Sequence, residues 1–123
     1  MNRLLHLIAF VGILCAAQVP TPALAQTECV TLRNGQTACP PADSKCVKDR
    51  YGEWFCSGAG GDAVLNINGN PVCGAGACVK DLNGEFQCST QARGAAAIDL
   101  ASRAVCSAGC EAASASRCTA LTR

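Results

Sequence analysis

The chain has 123 residues, 11 cysteines, 4% aromatic residues and a formal net charge of +1. That charge balance gives no electrostatic case for binding nucleic acid or an anionic membrane. The cysteine density is that of a disulfide scaffold rather than of a domain built on a large apolar core.

In chain order, the first segment reads as an export signal. Met1-Asn2-Arg3 is a short basic start, and Leu4 to Val19 is an apolar run broken only by His6 and Gln18. Ala23-Leu24-Ala25 fits the small-x-small cleavage pattern, so residues 1–25 are expected to be a secretory signal cut after Ala25. The run is short for a membrane span and is closed by Pro20 and Pro22. Ile13 and Leu14 occupy the places where a lipoprotein signal needs small residues before Cys15. Cleavage leaves 98 of the 123 residues, with nine Lys/Arg, nine Asp/Glu, ten cysteines and no histidine. An even number of cysteines allows every thiol to be paired. Tyr51, Trp54, Phe55 and Phe86 are then the only aromatics. So thin a core leaves part of the stability to cross-links, typically ~2–4 kcal/mol each.

The remaining chain repeats itself. In residues 26–57, VTLRNGQTAC (30–39) is followed by CVKDRYGEWFCS (46–57). In residues 58–89, VLNINGNPVC (64–73) is followed by CVKDLNGEFQCS (78–89). In residues 90–123, AIDLASRAVCSAGC (97–110) aligns with 64–78, with one residue deleted and Ala101-Ser102 replacing Asn-Gly, before the pattern decays into EAASASRC. The period is about 33 residues, in three units. Val30, Val47, Val64, Val79 and Ala97 each stand nine residues before a cysteine, which marks a half-repeat of about 17. SGAGGD (57–62) and STQARGA (89–95) have linker composition, and Pro40-Pro41 stiffens the first unit. Taken alone, the alanine-rich tail 94–118 has helical propensity. As a third copy it is strand, turn and strand. The expected fold is therefore all-β, small and disulfide-rich, a tandem array of β-hairpins, with a helical C-terminal unit as the alternative.

Each half-repeat encodes a hairpin. In CVKDLNGEFQC, Asn83-Gly84 is the turn signal between alternating arms. Setting Cys78 opposite Cys88 pairs Val79 with Gln87, Lys80 with Phe86 and Asp81 with Glu85. Leu82-Asn83-Gly84 is left as a three-residue loop, with Gly84 in the left-handed conformation. Alternation puts Cys78, Lys80, Phe86 and Cys88 on one face, and likewise Cys46, Lys48, Trp54 and Cys56. The cysteine pair falls at a non-hydrogen-bonded position, where Cα atoms lie ~4.5 Å apart, within disulfide range. This register predicts Cys29–Cys39, Cys46–Cys56 and Cys78–Cys88. Analogy adds Cys110–Cys118 and leaves Cys73–Cys106. The chief competitor is a set of short-loop bridges, Cys39–Cys46, Cys73–Cys78 and Cys106–Cys110.

Residues able to do chemistry are scarce. Without histidine, a serine or cysteine nucleophile lacks its usual base, and no CxxC dithiol is present. Cys73, Cys106, Cys110 and Cys118 could hold a thiophilic metal only if reduced, and only CSAGC approaches a zinc-knuckle spacing. Asp49/Glu53 and Asp81/Glu85 are carboxylate pairs across turns, read as turn-forming Asp and solvent-facing Glu. NINGN lacks the acidic spacing of a calcium loop, and GAGG lacks the context of a phosphate loop. No catalytic, cofactor or metal site is expected, and no enzyme. The candidate partner surface is Lys48, Tyr51, Trp54 and Phe55 with Lys80 and Phe86, where a lysine lies across an aromatic ring beside a disulfide. The alternative role for Trp54 is to cover the disulfide.

The repeated CVKD-x-x-G-x-x-x-CS, together with CSAGCEAASASRC, resembles small cysteine-rich exported repeat proteins of Gram-negative bacteria. The resemblance covers the whole mature chain and implies export, to the periplasm or beyond, without implying an activity. The expected function is a non-enzymatic binding or structural module, with a protein or surface as partner and with no nucleic acid and no membrane after signal cleavage. Thiolate metal sequestration and a secreted inhibitor or toxin presenting Arg50-Tyr51 are the alternatives.

Overall fold

Five antiparallel hairpins follow one another in the computed structural model, which describes residues 29–122. The expected signal, 1–25, lies outside the described residues. The hairpins are β1 (Val30–Thr31) with β2 (Thr37–Ala38), β3 (Cys46–Lys48) with β4 (Trp54–Cys56), β5 (Asp62–Leu65) with β6 (Pro71–Gly74), β7 (Cys78–Lys80) with β8 (Phe86–Ser89), and β9 (Ala96–Ile98) with β10 (Ala104–Cys106). The fold is small and all-β, and it carries five disulfides.

The turns share one chemistry. Asp49, Asn66, Asp81 and Asp99 each open a turn by accepting, through Oδ1, the backbone N–H groups two and four residues on. This is how Asx side chains substitute for backbone acceptors. The first hairpin has Leu32 at that place, and Asn34 Oδ1 accepts from Gln36 N–H instead. The fourth residue of each turn is left-handed: Gly84 has φ 82° and Ser102, standing where the other turns have glycine, has φ 62°. The register of β7 and β8 is Cys78↔Cys88, Val79↔Gln87 and Lys80↔Phe86, as alternation about Asn83-Gly84 requires.

The interior lies where the hairpins close, away from their turns. Ala38, Cys56, Ala63, Cys73 and Cys88 are its buried apolar residues, joined by buried Ser44, Ser57 and Ser89. Disulfide sulfur packs here directly on bare backbone. A Cβ on Gly74 would overlap Cys88, and one on Gly94 would overlap Ser89 Oγ. Buried serines are satisfied: Ser57 Oγ accepts from Lys45 N–H (3.1 Å), and Ser89 Oγ donates to Ser107 O (2.6 Å). Asp62 ties adjacent hairpins by accepting from Cys78 N–H at 3.0 Å.

Past β10 the chain stops making hairpins and becomes a strap. β11 (Cys110–Ala112) adds to the outer edge of β8, Ser114 exchanges two backbone hydrogen bonds with Cys73, and a single 3-10 turn (Ala115–Arg117) follows. β12 (Thr119–Ala120) then adds to the outer edge of β4. The strap thus returns along the fourth, third and second hairpins in that order. It covers strand edges that would otherwise present unpaired N–H and C=O groups. The tail is strand, turn and strand, but its second half crosses the array rather than folding on itself.

That path corrects two of the expected disulfides. Cys29–Cys39, Cys46–Cys56 and Cys78–Cys88 form as the register predicts, each with Cα atoms 4.0 Å apart. Cys73 joins Cys118 rather than Cys106, and Cys106 joins Cys110, so Cys110–Cys118 does not form. The reason is the residue across the strand. Ala63 faces Cys73 and Ala96 faces Cys106, so neither cysteine has a cross-strand thiol. The strap delivers Cys118 to Cys73, whereas Cys110 stays beside Ser89 on the fourth hairpin.

Candidate functional site

The second hairpin carries most of the aromatic surface. Lys48, Trp54, Cys46 and Cys56 all occupy non-hydrogen-bonded positions of β3 and β4 and so share a face. Lys48 Nζ sits 5.9 Å from the Trp54 ring centroid. The fourth hairpin repeats the arrangement, with Lys80 Nζ 5.8 Å from the Phe86 ring centroid. Both distances lie within the reach of a cation–π contact. Phe55 points to the opposite face with Val47 and lies across from Ala120 of the strap. Tyr51 stands on the turn, 63% exposed, with the Arg50 guanidinium 5.2 Å from its ring centroid. Trp54, Phe55 and Phe86 are half-buried, so each combines a packing role with an exposed edge.

Trp54 also forms a wall of an open groove of about 510 Å³. Leu32 and Arg33 of the first turn, Gly52 and Glu53 of the second, and Leu121 beyond β12 supply the rest of its principal lining. Arg33 and Glu53 bridge the two turns at 3.7 Å, both exposed, a contact worth little by itself. Leu121 N–H donates to Trp54 O at 2.8 Å, which seats the tail beside the ring. The structure therefore brings Lys48, Tyr51, Trp54 and Phe55 together on one hairpin and places Lys80 and Phe86 on another. Leu32, Arg33 and Leu121 escape a sequence reading, because the first turn and the chain end meet only through tertiary packing.

The acidic pairs have structural work. Asp49 and Asp81 are committed to the N–H groups of their own turns, and each exchanges backbone hydrogen bonds within its turn. NINGN is the turn of the third hairpin, with Asn66 as its acceptor. Among the described residues no group of three or more His, Cys, Asp or Glu is placed to hold a metal ion. All ten cysteines from Cys29 onward are in disulfides. Among the described residues no helix is long and apolar enough to cross a membrane. No protein-family model, curated protein or solved structure matches this chain.

Proposed function

We propose that the chain is an exported, disulfide-stabilised repeat protein that works without catalysis, by presenting a rigid surface to a protein or surface partner in the periplasm or outside the cell. The observation that carries this reading is the recurrence of one cation-on-aromatic face beside a cross-strand disulfide, Lys48 with Trp54 and Lys80 with Phe86. A clasp between strands of three or four residues holds each face in place before any partner arrives, so little ordering entropy is lost on contact. Tyr51 projects beside the first face and offers contact area at low conformational cost. Five disulfides fit an oxidising compartment outside the cytoplasm. They also weigh against thiolate metal sequestration, which needs those bonds open.

The experiment is site-directed photo-crosslinking in the native compartment from a probe at Tyr51, with a probe at Ala42 on a different loop as control. A partner captured at Tyr51 and lost in a Lys48→Glu variant supports the reading. Equal capture at both sites, or none at Tyr51, refutes it. Free-thiol titration of protein from that compartment separates the metal alternative, which requires reactive thiols.

A further inference from the structure

The hairpins pack in chain order. Arg33 of the first turn lies over Gly52 of the second, and β3 contacts β5, β5 contacts β7 and β7 contacts β9. The first and fifth hairpins are therefore the two ends of the array. Alternation gives each hairpin two faces. One, the cysteine face, holds the clasp position, as in Cys78 with Cys88. The other, the valine face, holds the next cross-strand pair towards the turn, as in Val64 with Val72.

The valine face of one hairpin meets the cysteine face of the next. Between the third and fourth, Gly74 lies on the valine face and abuts Cys88, and Asp62 beside it accepts from Cys78 N–H. Inside the array such junctions are closed. Cys56, Cys73 and Cys88 are buried, and Val47, Val64 and Val79 are half-buried.

Each end keeps one half of this junction bare. On the first hairpin no hairpin precedes the cysteine face, and Cys29, Thr31, Thr37 and Cys39 are exposed. On the fifth none follows the valine face. Ala97 there is exposed, and Val105 across the strand from it is 49% exposed. Ser107 makes the same point by equivalence. Its Oγ accepts from Ala95 N–H across the strand, just as Ser57 Oγ accepts from Lys45 N–H. Ser57 and its counterpart Ser89 are buried, whereas Ser107 is exposed. Repeat arrays ordinarily close with a polar cap. Here the strap pairs with β8 and β4 and leaves the valine face of the fifth hairpin uncovered.

We propose that this face binds a second copy of the chain, whose first hairpin seats its cysteine face there, head to tail. The contact continues the interface that already joins successive hairpins within the molecule, so the surface that fits is one the chain itself carries. No charged side chain stands at the centre of either half, where Thr31 and Thr37 would meet Ala97 and Val105. Because the two halves lie at opposite ends, the contact is heterologous and leaves an open end after each addition. This surface is separate from the one that presents Tyr51, so the proposal goes beyond the reading given above.

The test is sedimentation of the oxidised mature protein over a range of concentration, beside Val105→Arg and Thr37→Arg. Both positions are exposed, so the variants retain the fold, which disulfide mapping and circular dichroism verify. Ala97→Arg, on the same face as Val105, repeats the measurement should Val105→Arg misfold. An unpaired guanidinium in the contact weakens it by about a hundredfold or more. Wild-type mass should rise steadily with concentration, and each variant alone should stay monomeric. Mixed in equal amounts, the two variants should form dimers that grow no further, since each retains the half the other lacks. A wild-type protein still monomeric at about 1 mM, the weak end of specific association, overturns the proposal. So does assembly that survives Val105→Arg or Thr37→Arg alone, or a mixture that fails to pair. A monomer that still crosslinks to a partner through Tyr51 overturns this contact and leaves the broader reading standing.

Discussion

Replacing Cys73 and Cys118 together by alanine removes the disulfide that joins the far end of the strap to the third hairpin. The bond spans 45 residues in sequence, against 10 for the hairpin clasps and 4 for Cys106–Cys110. Two clasps nested inside its loop, Cys78–Cys88 and Cys106–Cys110, shorten the effective path to roughly 34 links. In the chain-entropy description that loop contributes about 3.8 kcal/mol at 25 °C, against about 2.8 for a hairpin clasp and about 2 for Cys106–Cys110. Cys73 is fully buried, so losing its sulfur adds about 1 kcal/mol for the space left behind. The double variant should therefore lose roughly 4–5 kcal/mol, a large share of the ~5–15 kcal/mol that holds a domain of this size. At about 4–8 °C per kcal/mol, Tm falls by roughly 15–40 °C.

The assay is thermal and guanidinium unfolding of the oxidised protein beside the Cys106→Ala/Cys110→Ala variant, with amide exchange read at Ser114 and Leu121. Those two amides donate to Cys73 O and Trp54 O and should lose protection first. A loss no greater than that of the Cys106/Cys110 variant refutes the loop-length reasoning. Peptide mapping that finds Cys73 joined to Cys106 refutes the strap itself.

Two further outcomes follow from the turns and the interior. Ser102→Gly should stabilise the protein by about 0.5–1 kcal/mol, because φ 62° costs serine more than glycine, less the extra freedom glycine has when unfolded; unchanged or lowered Tm contradicts it. Gly74→Ala should cost about 3 kcal/mol or more, or block pairing of Cys78 with Cys88, since its methyl would occupy the space of Cys88; native-like Tm and disulfide mapping contradict it.

Most of the local architecture was legible because it is encoded over short spans. An Asx residue, a glycine three positions on and a cysteine at each end specify a hairpin, its register and its clasp. That is why Lys48 meets Trp54 and Lys80 meets Phe86 where alternation puts them. The same counting marks Cys73 and Cys106 as exceptions, since alanine stands ten residues before each. It leaves four cysteines whose pairing no local rule decides, and analogy with the hairpins paired them wrongly.

Local pattern thus specifies a series of hairpins and three of their clasps. Each depends on contacts within about ten residues, where alternation and turn stereochemistry act directly. Packing between hairpins sets the course of residues 110–121, selects the Cys73–Cys118 and Cys106–Cys110 bonds, and forms the groove between Leu32, Trp54 and Leu121. Those features depend on which strand edges lie open once the hairpins have stacked. An open edge offers every approaching segment the same backbone hydrogen bonds, so side-chain pattern alone does not select the one that fills it.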